Sequence, residues 1–273
     1  MKLKERTEYL WQKYSFTPKK ELGQNFLIDP RIVDRIIESL KLTKADIVVE
    51  VGAGSGILTE RLARSAGKVT GVEIDEKLCQ ILTEELAEYD NLKIICEDME
   101  QFCFEKRFTQ PQSVKIVGNL PYQIASSFLL NLAQKECIKF MVVMVQREVA
   151  EKLLARPGNK KRGTLTVLMN YYTIIDRIIN APPQAFIPPP KVGSSLIRID
   201  RKKNHLAKNE DHFIAVVKGA FRWRRKMLVN TLSKELGKEK TLVKERLNQL
   251  GINGKRRAED LTVEEFVRIS KVL

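Results

Sequence analysis

Residues 47–145 alternate between short apolar segments and longer amphipathic segments, and this alternation constrains the fold more than any other feature. The apolar segments are rich in Val and Ile and lie at 47–51, 68–73, 92–96, 114–117 and 140–145. The segments between them place apolar residues at helical spacing, as in Leu78, Ile81 and Leu82. Strands that alternate with helices form βαβ units, so we expect an α/β domain with a mostly parallel sheet. Ligands of such sheets bind beyond the carboxyl ends of the strands.

The remaining segments predict how this domain is completed and which domain comes after it. Helices are predicted at 30–41, 57–66, 76–89 and 123–133. Apolar stretches at 171–179 and 195–200 predict a strand pair that closes the sheet, and the prolines at 182–190 exclude a helix between them. After a basic linker at 201–209, helical patterns lie at 213–221, 228–236, 242–250 and 263–272. We therefore predict a catalytic domain over residues 1–203 and an all-helical domain over residues 204–273.

The charge of the chain is uneven and points to an anionic partner. The 273 residues contain 48 Lys and Arg against 34 Asp and Glu, which gives a net charge of +14. Residues 201–273 alone carry 19 basic and 9 acidic side chains and account for +10 of that charge. A basic surface concentrated at one end of a chain is typical of nucleic-acid binding, although a solvated basic surface is the plain alternative.

Several classes of protein are disfavoured by the sequence. No apolar run reaches the roughly 18 residues that a membrane span needs. The first residues lack the apolar core of a secretion signal and contain acids, unlike a transit peptide. The cysteines and histidines show no spacing that predicts a zinc site; they are Cys79, Cys96, Cys103, Cys137, His205 and His212. Four scattered cysteines fit a reducing cytoplasm, so we expect a cytoplasmic protein without a metal.

A glycine-rich turn follows the first predicted strand. Gly52, Gly54 and Gly56 allow the backbone to approach a ligand and expose amides at a helix start. The spacing is GxGxG and differs from the GxGxxG of dinucleotide-binding proteins. An ordinary strand–helix turn therefore remains the alternative at this point.

Two acidic residues follow the next two strands. Glu73 ends the second strand about 20 residues after the first glycine, where an acid binds the two hydroxyls of a ribose. Asp98 follows the third strand, where its carboxylate could accept from an adenine amino group. Taken singly, Glu73 is also consistent with an exposed acid at a strand end, and Asp98 with a turn or helix-cap residue.

Asn119-Leu-Pro-Tyr122 follows the fourth strand and is the most informative motif. Proline favours an extended Leu120 and provides no N–H, so nearby carbonyls stay free as acceptors. Acceptors beside an aromatic ring suit an exocyclic adenine amine whose base has left its stack. An Asn-x-Pro turn is the alternative.

Together these segments resemble the ribosomal RNA adenine dimethyltransferases, and most closely the KsgA/RsmA type that modifies small-subunit rRNA. The segments that carry the resemblance are 23–27 (GQNFL), 49–56 (VEVGAGSG), Glu73 in VEID, Asp98, 119–122 (NLPY), 186–192 (FIPPPKV) and 221–232 (FRWRRKMLVNTL). The resemblance covers nearly the whole chain in order. It implies a class I, Rossmann-like methyltransferase domain that uses S-adenosyl-L-methionine, followed by a small helical domain.

The resemblance also implies roles for individual residues. Those near the cofactor would be Gln24, Asn25, Leu27, Gly52, Gly54, Glu73, Ile74, Asp98, Met99 and Asn119. Those at the reaction centre would be Asn119, Leu120, Pro121, Tyr122 and Phe186, with Tyr122 and Phe186 on either side of the target adenine. Gln123 departs from the family pattern, in which Asn commonly follows the tyrosine, and this puts fine substrate contacts in doubt but not the reaction.

The implied reaction is attack of adenine N6 on the sulfonium methyl group, repeated on the same nitrogen. The implied substrate is a pair of adjacent adenosines near the 3′ end of small-subunit (16S) rRNA, within a pre-ribosomal 30S particle, and the enzyme is expected to be a monomer. No general base is obligatory, because the amine can lose its proton after transfer. The candidate RNA contacts are Lys160, Lys161, Arg162, Arg222, Arg224, Arg225 and Lys226, each of which is also consistent with a solvated surface. Trp223, within the last group, is equally consistent with helix packing.

Two other functions share this fold. An Erm-type enzyme would dimethylate adenine in 23S rRNA, but Leu120, the triple proline at 188–190 and the basic segment 221–232 favour the small-subunit type. A non-catalytic RNA-binding or assembly factor would not need Asn119, Glu73 and Asp98 together. The sequence therefore favours an active small-subunit enzyme.

Overall fold

A computed structural model describes residues 2–111, 113–120, 125–202 and 207–273. The chain forms two compact units, one of Met1–Ala150 with Ile175–Arg201 and one of Glu151–Ile174 with Lys202–Leu273. Residues 151–174 group with the C-terminal helices because their contacts lie there, for example between Gly158 N and Glu259 O at 2.9 Å. The functional boundary at 203/204 stays a prediction.

The first unit is built on a mixed sheet. Its strands, together with a separate short pair, are β1 (Phe26–Leu27), β2 (Ile47–Val51), β3 (Lys68–Glu73), β4 (Leu92–Cys96), β5 (Val114–Asn119), β6 (Ile138–Gln146), β7 (Thr173–Ala181), β8 (Phe186–Ile187) and β9 (Ser194–Arg201). In the described part of the chain, seven of them form one sheet in the order β4-β3-β2-β5-β6-β9-β7. Strands β2 to β6 pair in parallel, and β9 runs antiparallel to β6. The predicted parallel sheet and its closing strand pair are confirmed.

The strand order places a binding crevice at a defined point. From β2 the chain proceeds to β3 and β4 on one side and returns to β5 and β6 on the other. The connections from neighbouring strands β2 and β5 therefore diverge, which opens a crevice at their carboxyl ends. The motifs after β2, β3, β4 and β5 all lie at this edge of the sheet.

The helices begin and end close to where the periodicity predicts. They are α1 (Leu3–Lys13), α2 (Pro30–Leu40), α3 (Ile57–Ser65), α4 (Glu76–Glu85), α5 (Phe104–Arg107), α6 (Ala125–Gln134), α7 (Arg147–Leu153), α8 (Thr164–Tyr172), α9 (Glu210–Phe221), α10 (Leu228–Leu236), α11 (Lys240–Gln249) and α12 (Val263–Val272). Asp29 and Asp75 start α2 and α4 by accepting from backbone amides two residues later. Within the described residues, no helix is both long and apolar enough to cross a bilayer.

The core of the first unit lies on the faces of the central strands. Val48, Val69 and Val117 are fully buried and pack in one cluster with Leu40 of α2 and Leu62 of α3. Strands covered on both faces need apolar side chains on both, which is why these segments read as continuous apolar runs.

Four predictions about elements require correction. Helix α4 ends at Glu85 and not at residue 89. The strand predicted from residue 171 begins at Thr173, because Tyr171 and Tyr172 belong to the last turn of α8, where the Tyr171 ring packs 4.3 Å from that of Phe213. A single 3₁₀ turn, Pro183–Ala185, lies in the proline cluster, where proline is tolerated at a first helical position. Helices α1, α5, α7 and α8 and the short strands β1 and β8 were not predicted.

The second unit is helical in its C-terminal part, as predicted. Helix α9 contacts α8, α10 and α12. Phe213 and Phe266 are fully buried, and the rings of Phe221 and Phe266 lie 5.9 Å apart. These aromatic contacts provide the unit with its own core.

Candidate active site at the carboxyl edge of the sheet

A cavity opens where β2, β3, β4 and β5 end. Its empty volume, including space open to solvent, is about 1240 Å³. Every residue expected near the cofactor lines it: Gln24, Asn25, Leu27, Gly52, Gly54, Glu73, Ile74, Asp98, Met99 and Asn119. Leu120 and Phe186 also line the cavity, whereas Pro121 and Tyr122, like Gln123, lie outside the described residues. The motifs that follow β2, β3, β4 and β5 thus meet in one site because the parallel strands end together, and the segments around Leu27 and Phe186 join them through the β1–β8 pair.

The glycine turn wraps around the carboxylate of Glu73. Gly52 and Gly54 have φ values of +72° and +58°, a region that side chains rarely adopt. Gly52 N donates to Val72 O at 2.9 Å, and Gly54 N donates to Glu73 Oε2 at 2.9 Å. A Cβ on Gly54 would lie 3.2 Å from the Phe26 ring, so the close approach also requires glycine.

Glu73 is buried and held in one orientation by backbone amides. Its Oε1 accepts from Ile74 N at 3.0 Å and from Asp75 N at 3.1 Å, in addition to the Gly54 contact. Burial raises the pKa of Glu73, and the three amide hydrogen bonds oppose that shift. A carboxylate fixed in this way suits a ligand that presents two neighbouring hydroxyls.

Asn119 is the last residue of β5, and only the nitrogen of its side-chain amide has a hydrogen-bond partner within the described residues. Its Nδ2 donates to Asn25 O at 2.8 Å. Its Oδ1 is buried and accepts no hydrogen bond within the described residues. The next residue is anchored by a bond from Leu120 N to Met144 O at 3.1 Å. Because a buried acceptor without a donor is costly, this oxygen marks a place for a ligand N–H.

The N-terminal segment forms one wall of the cavity. Leu27 of β1 lies opposite Phe186 of β8 in a two-stranded sheet. Gln24 Nε2 donates to Asp75 Oδ2 at 2.9 Å, and Lys19 Nζ lies 3.0 Å from the same oxygen. Gln24, which was expected near the cofactor, lines the cavity, and its amide links this wall to the start of α4 by a hydrogen bond.

The remaining predicted contacts offer a polar edge and an apolar surface. Asp98 Oδ1 accepts from Glu100 N at 2.9 Å, so it is both a turn residue and a cavity residue. Ile74 is 49% exposed although apolar, and Met99 is buried in the same cavity. An apolar surface beside a carboxylate suits a flat base with an amino group.

Among the cavity residues that were not predicted as site residues, Glu50 and Gly118 have structural features of their own. Glu50 of β2 is 2% exposed, and its Oε2 has no hydrogen-bond partner within the described residues. Burial raises its pKa to about 8; the Thr59 hydroxyl opposes the shift and nearby Glu73 adds to it. A charged residue inside an otherwise apolar strand is the sequence signal that could have identified it. Gly118 has no such signal, yet a Cβ there would lie 2.3 Å from Val51 O.

The basic residues expected to contact RNA lie in the second unit, and one of them must be reassigned. Arg162 is 3% exposed, and its Nη1 donates to Ala155 O at 2.9 Å. Burial lowers its pKa, and its guanidinium holds a loop inside the protein, so Arg162 is a structural residue and not an RNA contact. Arg224 Nη2 donates to Lys160 O and Arg162 O, which joins the two predicted basic segments. The other candidates are exposed: Lys160, Lys161, Arg222, Arg225 and Lys226.

Comparison with known proteins identifies the family. The family model described as ribosomal RNA adenine dimethylase matches residues 15–273. The chain belongs to this family. The resemblance found in the sequence is thereby confirmed, as is the use of S-adenosylmethionine.

Relatives of this family member are similar over nearly their full length. It is 39% identical to "Ribosomal RNA small subunit methyltransferase A" of Bacillus cytotoxicus over 98% of this chain and 95% of that protein. It is 40% identical to the protein of the same name from Anoxybacillus flavithermus, over 98% of this chain and 94% of that one.

Solved structures confirm the class I methyltransferase fold of this family member. A dimethyladenosine transferase from Plasmodium falciparum matches with a TM-score of 0.78 and 25% identity, over 89% of this chain and 95% of that one. The 23S rRNA methyltransferase ErmE matches with a TM-score of 0.73 and 26% identity, over 91% of this chain and 99% of that one. The higher identity to small-subunit enzymes favours that type over the Erm type.

Proposed function

We propose that this protein dimethylates N6 of two adjacent adenosines near the 3′ end of small-subunit (16S) rRNA, with S-adenosylmethionine as methyl donor. It acts as a monomer in the cytoplasm on a pre-ribosomal 30S particle during assembly. The observation that carries the proposal is the buried Oδ1 of Asn119, which has no partner in the described part of the chain and lies in a cavity lined by every residue expected near the cofactor. A non-catalytic RNA-binding protein would have no use for an unsatisfied buried acceptor at this place.

The residues present fit S-adenosylmethionine. The fixed carboxylate of Glu73 would hold the ribose hydroxyls, and Asp98 would accept from the adenine amino group. Ile74 and Met99 would contact the faces of the adenine ring. The turn of Gly52 and Gly54 would lie along the methionine part. When bound, the cofactor supplies an electrophilic methyl carbon.

The chain contributes positioning and electrostatic stabilisation. The lone pair of adenine N6 is delocalised into the ring, so N6 is a poor nucleophile until it is held. Asn119 Oδ1 accepts one N6–H and orients the nitrogen toward the methyl carbon. Positive charge would develop on N6, beside the same oxygen, as the C–N bond forms and the sulfur–methyl bond breaks, with that bond's electron pair remaining on the sulfur of the leaving group, S-adenosylhomocysteine. The proton then leaves to solvent, and the second methylation repeats the step on the same nitrogen.

The RNA is held by charge outside the cavity. Residues 201–273 carry +10, and the exposed cations of the segments 160–161 and 222–226 lie in one unit with Arg224 between them. Arginine and lysine bind phosphates without reading base sequence. We therefore assign RNA affinity to the second unit and target selection to the cavity.

A labelling experiment tests the proposal. The protein is incubated with [methyl-³H]S-adenosylmethionine and undermethylated 30S particles, 50S particles or naked 16S rRNA. Label is expected in N6,N6-dimethyladenosine of the 30S particle, at two adjacent positions near the 3′ end. Label in 50S particles, or none in any substrate despite cofactor binding, contradicts the proposal. Analytical ultracentrifugation is expected to show the mass of a single chain.

A further inference from the structure

The loop 222–227 between α9 and α10 exposes an indole ring. Trp223 is 44% exposed and lies in a row of exposed residues. The only other tryptophan of the chain, Trp11, packs 6.1 Å from the Phe16 ring and 5.2 Å from the Phe26 ring. Trp11 therefore packs in the interior, whereas Trp223 contacts α10 with one part of its ring and leaves the rest open to solvent.

The exposed ring is held in one orientation. Trp223 Nε1 donates to Glu235 Oε1 at 2.9 Å. Lys234 Nζ lies 4.5 Å from the ring centroid, in cation–π contact. Gly219 allows α9 and α10 to approach, because a Cβ there would lie 3.0 Å from Glu235 Cβ. An aromatic side chain ordered in advance loses little conformational entropy when a ligand covers it.

The loop that carries the ring is rich in cations, and the carboxylate of Glu235 is already paired with the indole N–H. Arg222, Arg225 and Lys226 are exposed in the same loop. Arg224 turns away to the carbonyls of residues 160 and 162 and lies 3.6 Å from Glu259. The side chains left around the indole therefore offer positive charge beside a flat ring, the combination that binds unpaired nucleotides.

We propose that Trp223 is a stacking platform for an unpaired base of the rRNA substrate. This inference rests on the proposed function. It adds a stacking contact to the phosphate contacts expected from the cations of the same loop. The exposed part of the ring covers the base while the neighbouring cations bind its phosphates. Stacking tolerates any base, so the contact adds affinity and orientation without selecting the target adenine.

The first experiment measures affinity and its salt dependence with naked 16S rRNA and the full chain. Trp223→Ala is expected to weaken binding about 5- to 150-fold, with the slope of log K against log salt unchanged. Trp223→Phe keeps a ring and is expected to retain most of the affinity. Arg225→Gln is the matched control, because it removes one charge and is expected to reduce the slope by about 0.7 to 0.9.

The second experiment observes the ring directly. In Trp11→Phe the indole of Trp223 is the only one left, and rRNA contains none, so its fluorescence is expected to be quenched on titration with 16S rRNA. This readout does not depend on the folding of Trp223→Ala.

The outcomes separate the two proposals. Unchanged fluorescence on binding, or unchanged affinity of Trp223→Ala while Arg225→Gln weakens binding, overturns the stacking platform and leaves the proposed function intact. Absence of methyl transfer to undermethylated 30S particles by the wild-type chain overturns the proposed function, and the stacking platform with it.

Discussion

Asn119 is the residue on which the proposed chemistry depends. Its Nδ2 is used by Asn25 O, so its Oδ1 has a fixed direction and no partner within the described residues. Asn119→Ala is expected to reduce the methylation rate about 10²- to 10³-fold, because it removes the acceptor for N6–H. The measurement is single-turnover methyl transfer, alongside binding of cofactor and of RNA, both of which should change much less.

The control for Asn119→Ala is Asn248→Ala on the exposed side of α11. It should leave the rate unchanged. A wild-type rate in Asn119→Ala would remove that residue from the reaction.

The buried Glu50 is expected to make the stability of the protein depend on pH. Its pKa is about 8 in the folded protein and ordinarily 4.5, so between these values the folded chain holds a proton that the unfolded chain releases. Stability from this group is therefore complete below pH 4.5 and is lost as pH rises toward 8, by at most about 1.4 kcal/mol per pH unit within that window. Glu50→Gln, which cannot ionise, is expected to lose this part of the pH dependence.

The measurement for Glu50 is the free energy of unfolding by urea at pH 5, 6.5 and 8. The difference between wild type and Glu50→Gln isolates this group from others that titrate in the same range. Equal pH slopes in the two proteins would show that Glu50 is not protonated in the folded state.

At the scale of elements, the site depends on how closely β2 and β5 approach. A Cβ on Gly118 would meet Val51 O at 2.3 Å, and a backbone oxygen of the adjacent strand cannot move away without disturbing the pairing. Gly118→Ala is expected to destabilise the protein by about 2 kcal/mol or more and to lower its melting temperature. Gly163→Ala is the matched control, since a Cβ there meets no atom within 4 Å. Similar melting temperatures for both variants would contradict the prediction.

At the scale of the whole molecule, we assign the basic charge that binds RNA to the second unit and methyl transfer to the first. Arg222→Gln, Arg225→Gln and Lys226→Gln together are expected to weaken RNA binding and to reduce the salt slope by about 2 to 3, because three phosphate contacts are lost. Cofactor affinity, measured by calorimetry, should stay the same. A parallel loss of cofactor affinity would contradict this assignment.

The matched control for the three substitutions removes three charges from the first unit. Lys68, Lys93 and Lys139 are exposed there, and their change to Gln should alter RNA binding less. Equal losses from the two triple variants would mean that net charge, and not the 222–226 loop, determines RNA affinity.

Much of the site could be predicted because its signals are local. Gly52, Gly54, Glu73, Asp98 and Asn119 each lie at or just beyond a strand end, and their backbone position alone brings them to one edge of the sheet. The prediction missed or misassigned residues whose role depends on a contact between segments that are distant in the sequence. Gly118 is needed only because of Val51, and Arg162 is buried only because of how its loop folds.

The sequence by itself determined the alternation of strands and helices over residues 47–145, the edge of the sheet where ligands bind and a core set of residues that line it, because these follow from periodicity and from positions beside strand ends. Tertiary structure alone decided which polar atoms are free. Burial leaves Asn119 Oδ1 and Glu50 Oε2 without partners within the described residues, while Gln24 is committed to Asp75. Whether a buried polar atom has a hydrogen-bond partner depends on neighbours far away in the sequence, and local sequence patterns do not indicate those neighbours.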